Sequence, residues 1–230
     1  ITFNRGFTLT DKPIVEFKRI TKRFPGVVAL NNVSISVRKG SCHALIGENG
    51  AGKSTLGKIL AGIYTPDGGQ ILIDGNPINI TSPSDALKAG VGMVHQELAF
   101  CENLSIAENL CLGMMPTSGL FVSSSKMIEQ ADKQLEAIGA KMDVRMRLGE
   151  LPISQQQIVQ IAVAVGRGAR ILIFDEPTSS LSQAESERLF DLIKQLQVDG
   201  VTCIYVSHRM PEIFRLCDTI SVLRDGQLVD

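Results

Sequence analysis

Nine consecutive residues, Gly47-Glu48-Asn49-Gly50-Ala51-Gly52-Lys53-Ser54-Thr55, concentrate groups suited to holding a polyphosphate. They fit the pattern G-x-x-x-x-G-K-[ST], with an apolar run, Cys42 to Ile46, before them and a helix predicted to begin near Lys53. Glycines let backbone N–H groups turn inward around phosphate oxygens, where a Cβ would obstruct them. The positive end of the helix dipole points at the same anion. Lys53 adds a mobile charge for the β- and γ-phosphates, and the Ser54 hydroxyl is a hard oxygen suited to Mg²⁺. A second group of residues complements these. Ile171-Leu172-Ile173-Phe174-Asp175-Glu176-Pro177 is an apolar run ending in two carboxylates. A buried strand ending there delivers both to the ligand-binding edge of an α/β sheet. Asp175 is suited to hold Mg²⁺, and Glu176 to accept a proton from an attacking water. ATP and Mg²⁺ are the expected cofactors.

The elements that must position these groups are legible in part. Ile14 to Phe17, Val33 to Val37 and Cys42 to Ile46 read as strands, and Gln70 to Ile73 with Pro77 to Ile80 as a hairpin around Asp74-Gly75. Ser82, Pro83 and Gly90 bracket a short helix, after which Val91 to His95 returns to strand. Ser105 and Glu108 form a capping box, as do Ser182 and Glu185. Ile128, Ala131, Leu135 and Ile138 share one helical face that Gly139 can end, and Gln155 to Val165 is also helical in pattern. Arg170 to Phe174 and Val201 to Val206 are further strands, separated by a helical stripe of Leu189, Leu192, Ile193 and Leu196; Ile220 to Leu223 opens a last hairpin at Asp225-Gly226.

Strands alternating with helices predict an α/β fold: a phosphate-loop NTPase core with a mostly parallel sheet, an N-terminal antiparallel β part and an inserted helical subdomain. The expected domain is 13–230, with 13–96 and 166–230 as the nucleotide-binding core, 97–165 as the helical insertion and 1–12 as an extension.

The chain has 230 residues, 44% of them hydrophobic, enough for a sizeable core. With 23 basic against 24 acidic residues it lacks the basic bias of a nucleic-acid binder, and no nucleic-acid partner is expected. No apolar run approaches the ~18 residues that cross a bilayer, and residues 1–13 lack the pattern of a secretory signal. Five cysteines form no CxxC, so reduced, mostly buried thiols are expected, in keeping with the cytoplasm.

From about Pro13 to Asp230 the chain resembles the ATP-binding cassette ATPases, the motor domains of ABC transporters. Beyond the two motifs, Gln96 in Val94-His95-Gln96-Glu97 resembles the family's glutamine loop, and His208 in Tyr205-Val206-Ser207-His208 its switch histidine. The resemblance implies that Gln96 reaches Mg²⁺ and the attacking water, that His208 contacts the γ-phosphate and that Phe24 stacks on adenine. Ser179-Ser180-Leu181-Ser182 stands where the family's loop faces the opposite nucleotide site, with Ser182 replacing the usual Asp. The family signature, Leu-Ser-Gly-Gly-Gln, which caps the nucleotide of an opposing cassette, is replaced by Leu151-Pro152-Ile153-Ser154-Gln155.

That altered signature, together with Pro25-Gly26-Val27, Gln96-Glu97-Leu98 and His208-Arg209-Met210, is similar to the N-terminal cassette of bacterial ribose-, galactose- and arabinose-type sugar importers. The implied role is ATP hydrolysis that powers sugar import, at the cytoplasmic face of the cell membrane. The implied partners are membrane-spanning permease subunits, a second cassette, expected in the same polypeptide, and, indirectly, a periplasmic sugar-binding protein. The alternatives are a soluble non-transport ATPase of this family and a regulatory cassette with little turnover.

Overall fold

The computed structural model describes residues 12–94, 100–119 and 121–229. The chain runs β1 (Pro13–Phe24), β2 (Val27–Arg38), β3 (Cys42–Ile46), α1 (Lys53–Leu60), β4 (Gly68–Ile73), β5 (Asn76–Ile78), α2 (Pro83–Lys88) and β6 (Val91–Val94). It continues through α3 (Ile106–Cys111), β7 (Thr117–Ser118), β8 (Phe121–Val122), α4 (Ser124–Glu136), a 3₁₀ turn (Leu148–Glu150) and α5 (Ile153–Gly166). The last third is β9 (Ile171–Asp175), α6 (Gln183–Val198), β10 (Thr202–Val206), α7 (Met210–Leu216), β11 (Thr219–Arg224) and β12 (Gln227–Leu228).

Two sheets organise the molecule. One has the order β12-β11-β3-β10-β9-β6, and its five inner and edge strands other than β12 are mutually parallel. The other is antiparallel, in the order β2-β1-β4-β5. A parallel strand covered on both faces can be apolar throughout, and β9 and β10 are buried at every position. Their two faces enter different cores. Ile171, Ile173, Ile204 and Val206 pack with α1 and the antiparallel sheet. Leu172, Phe174, Cys203 and Tyr205 pack with the helices α3 to α6. The period-2 alternation of a strand therefore joins the two layers through one sheet.

Most helix ends follow their local chemistry. Both capping boxes are formed in full, at Ser105 with Glu108 and at Ser182 with Glu185. Ser82 accepts from the Asp85 N–H and Pro83 occupies the first turn of α2. Beyond α4, Gly139 adopts φ 71° and the Ala140 N–H returns to the Leu135 carbonyl, closing the helix end.

The first two strands are much longer than their apolar runs. Register shifts interrupt the β1–β2 pairing, and Arg19 and Asn32 take φ values of 53° and 57°. These irregularities break the alternation by which a strand is recognised. The helix α7 and the small β7–β8 hairpin were not anticipated, being too short to show a period. The sixth strand is described as far as Val94, and His95 and Gln96 lie outside the described residues. Four of the five cysteines are buried, Cys101 is exposed, and all are free.

Candidate functional site

Strand order creates the site. β10 lies between β3 and β9, with Val206 in register with both Leu45 and Asp175. The carboxyl ends of three adjacent strands thus open at one level: β3 into Gly47, β9 into Glu176 and β10 into Ser207 and His208. In an open α/β sheet this end is where ligands bind.

The turn after β3 wraps the start of α1. Gly52 caps that helix in a left-handed conformation, φ 101°. A Cβ there would lie 2.5 Å from the Ala29 carbonyl oxygen and 2.7 Å from Leu30 Cδ2, so glycine allows β2 to back the loop directly. The Lys53 side chain is buried and folds over the loop, with Nζ donating to the Gly47 and Glu48 carbonyls at 2.9 Å each. Asn49, Gly50, Ala51, Gly52, Lys53, Ser54, Thr55 and Glu176 together line an open concavity of about 200 Å³. Asn49, one of these lining residues, and the neighbouring Glu48 are exposed.

Ser54, in the first turn of α1, donates to Asp175 Oδ1 at 2.7 Å across 121 positions of sequence. Asp175 is buried at the end of β9. Two hard oxygens placed side by side beside a phosphate loop suit a small divalent cation such as Mg²⁺. Glu176 follows with φ 48°, an uncommon conformation for a side-chain-bearing residue and one that concentrates at functional sites. Its N–H donates to the Val206 carbonyl at 3.0 Å, which ties the end of β9 to the end of β10. The exposed His208 places Nδ1 3.1 Å from Glu176 Oε1. An imidazole thus rests on the carboxylate proposed to take the proton.

Phe24 ends β1 half-buried, edge-on to Tyr64 with ring centroids 5.2 Å apart, and Lys22 Nζ lies 5.4 Å from its ring centre. Gln96 lies outside the described residues, so its expected place has no geometry here.

The altered signature begins α5. Pro152 caps the helix without a side-chain hydrogen bond, and Ile153 is 48% exposed. The Ser154 hydroxyl donates to Glu185 Oε1 at 2.7 Å. Hydrogen bonds from the Ser182 and Ser154 hydroxyls and the Ser182 N–H hold the Glu185 carboxyl down at about 2. Ser154 therefore joins the start of α5 to the capping box that follows Ser179-Ser180-Leu181-Ser182. Behind it, buried Gln157 donates to the Pro177 carbonyl at 2.7 Å.

Sequence reading missed Glu212. This buried carboxylate accepts from Thr178, Tyr205, Ser207 and Arg209. A Glu four residues after His208 was the available signal, but its partners converge only in three dimensions.

Fold and site together define a phosphate-loop, nucleotide-site protein. The family model for the ABC transporter ATPase domain, described as "ABC transporter", matches residues 30–179, and the chain belongs to that family. Among curated relatives, "Ribose import ATP-binding protein RbsA 2" of Escherichia coli O157:H7 is 47% identical over 221 residues, 96% of this chain and 44% of the relative. "Arabinose import ATP-binding protein AraG" of Rhizobium johnstonii is 50% identical over 214 residues, 93% of this chain and 43% of the relative. The chain thus spans less than half the length of these relatives. A crystal structure of a nucleotide-free ATP-binding cassette from an ABC transporter superposes with TM-score 0.84 at 26% identity, covering 95% of this chain and 90% of that one. The ADP conformation of MJ1267, an ATP-binding cassette of an ABC transporter, gives 0.81 at 26% identity, covering 94% and 89%.

Proposed function

We propose that this chain is an ATP-binding and ATP-hydrolysing cassette that powers import of a sugar through a membrane ABC transporter. The observation that carries this reading is the convergence of the phosphate loop, the Ser54–Asp175 pair and the Glu176–His208 pair on three neighbouring strand ends. The ribose- and arabinose-import names of its relatives support the sugar class. Residues 13–96 and 166–230 form the nucleotide-binding core in this reading, and 97–165 the helical insertion.

Each residue has a chemical task. Gly47 to Thr55 cradle the phosphates with backbone N–H groups, and Lys53 exchanges its two loop carbonyls for β- and γ-phosphate oxygens. Ser54 and Asp175, with Gln96, hold Mg²⁺, whose chemistry is neutralisation of charge on the phosphates. Glu176 takes the proton of the attacking water, and His208 orients that carboxylate and meets the γ-phosphate. Phe24 stacks on adenine. No helix among the described residues is long and apolar enough to cross a membrane. The cassette works at the cytoplasmic face, docked on permease subunits and paired with a second cassette, and a periplasmic sugar-binding protein delivers the substrate.

The test is sugar uptake by the full-length protein reconstituted with its permease in vesicles. Uptake should require internal ATP and Mg²⁺ and should stop with Lys53→Ala. Sugar uptake that persists undiminished in that variant would overturn the assignment.

A further inference from the structure

Glu212 does not line the nucleotide concavity, yet its carboxylate accepts from residues beside both halves of the catalytic pair. Oε1 accepts from Thr178 Oγ1 at 2.7 Å and from Arg209 at 3.1 Å. Oε2 accepts from Tyr205 Oη at 2.9 Å and from Ser207 Oγ at 3.2 Å. Thr178 lies two residues beyond Glu176. Ser207 and Arg209 flank His208, and the Arg209 N–H donates to Ser207 Oγ at 3.0 Å. One carboxylate therefore holds the loop that carries the proton acceptor and the loop that carries its histidine. Glu212 is 7% exposed and Tyr205 fully buried. Taking a carboxylate out of water is costly unless several donors meet it, and here four do. The α7 helix could be anchored by apolar contacts alone, as Ile213 and Leu216 already do from the same helix. Glu212 adds something those contacts cannot supply, a directional link between the two loops.

We propose that Glu212 is a positioning residue for ATP hydrolysis, fixing the spacing of His208 and Glu176 by gripping both of their loops. This rests on the roles proposed above for those two residues. Loss of the grip leaves the phosphate loop, which carries most of the nucleotide contacts in this reading, in place, because none of the four bonds to Glu212 comes from Gly47 to Thr55. Hydrolysis suffers, because a misplacement of about 1 Å in a catalytic group costs up to about 100-fold in rate.

The experiment is a mutant cycle in the full-length protein, with kcat, KM for ATP and fluorescent-nucleotide affinity measured for Glu212→Gln, His208→Ala, their combination and Glu176→Gln. Glu212→Gln should lower kcat by about 10- to 100-fold. Its KM and nucleotide affinity should stay within about twofold of wild type. In the His208→Ala background it should lower the residual kcat by less than about twofold, since the spacing it maintains no longer matters. Equal losses in both backgrounds would reduce Glu212 to a folding role and overturn the proposal, as would an unchanged kcat. Should Glu212→Gln not fold, Tyr205→Phe removes one donor from the same carboxylate and runs through the same cycle with the same outcomes. If Glu176→Gln itself retains turnover, the site assignment falls and the positioning role falls with it. If Glu176→Gln is inactive while Glu212→Gln is not, the positioning role alone is wrong.

Discussion

The phosphate loop can be tested through two of its glycines, which share a backbone requirement but differ in their surroundings. Gly50 and Gly52 both have positive φ, 83° and 101°. An alanine at either position bears the left-handed backbone penalty, ~1–2 kcal/mol. Around Gly50 a Cβ would meet nothing within 4 Å. At Gly52 it would strike the Ala29 carbonyl oxygen at 2.5 Å and Leu30 Cδ2 at 2.7 Å. The leucine can turn, but the carbonyl belongs to β2 and cannot. The contact therefore adds an overpacking cost of ~1–3 kcal/mol to Gly52→Ala alone. For a domain of this size ~1 kcal/mol moves the thermal midpoint by ~2–4 °C, so Gly52→Ala should melt ~2–12 °C below Gly50→Ala. Thermal unfolding of both nucleotide-free variants, followed by circular dichroism in one buffer, measures this difference directly. The shared backbone term cancels in the comparison. Equal midpoints would refute the claim that close approach of β2 makes Gly52 obligatory.

Lys53→Ala removes the ammonium from the loop, and each lost bond to a charged group is worth ~1.5–3 kcal/mol, so fluorescent-nucleotide titration should show affinity weakened by ~10-fold or more. In the full-length protein Glu176→Gln should nearly abolish steady-state ATPase activity, while the corresponding change in a second cassette should do much less. That asymmetry follows because Pro152 has no N–H to offer an opposing nucleotide and Ser154 already donates to Glu185; equal losses in the reconstituted complex would contradict it. Glu185 is held at about 2, below its ordinary 4.5, by the Ser182 and Ser154 bonds. A carboxylate with a depressed folded value stabilises above its unfolded value and loses that effect as pH falls through the folded one. The midpoint gap between wild type and Glu185→Gln should therefore be full above about pH 4.5 and close toward about pH 2; a gap independent of pH would show that the carboxylate's charge is not what these bonds recognise.

Local chemistry determined much of this protein. The proposed phosphate loop was legible because the glycines, lysine and serine that would wrap one anion must be contiguous. Asp175 and Glu176 were legible because a buried strand has to end somewhere polar. The two capping boxes were also written in four residues each, since a helix start is closed by groups within one turn. What only the tertiary structure decided are contacts across long separations. The Ser54–Asp175 bond spans 121 positions and depends on β3 and β9 flanking β10. The full length of β1 and β2 depends on pairing that tolerates bulges, which blur the alternation. The engagement of Ser154 with Glu185, 31 positions away, turned an altered signature into a link between α5 and α6. Glu212 shares this in one bond: its contact with Thr178 spans 34 positions, while Tyr205, Ser207 and Arg209 are near it in sequence. Its spacing of four from His208 was visible in the sequence, but nothing in that spacing showed that Thr178 would meet the same carboxylate. Hydrogen-bond partners at that distance are chosen by how strands and helices pack, and a linear pattern encodes only what neighbouring residues do to one another.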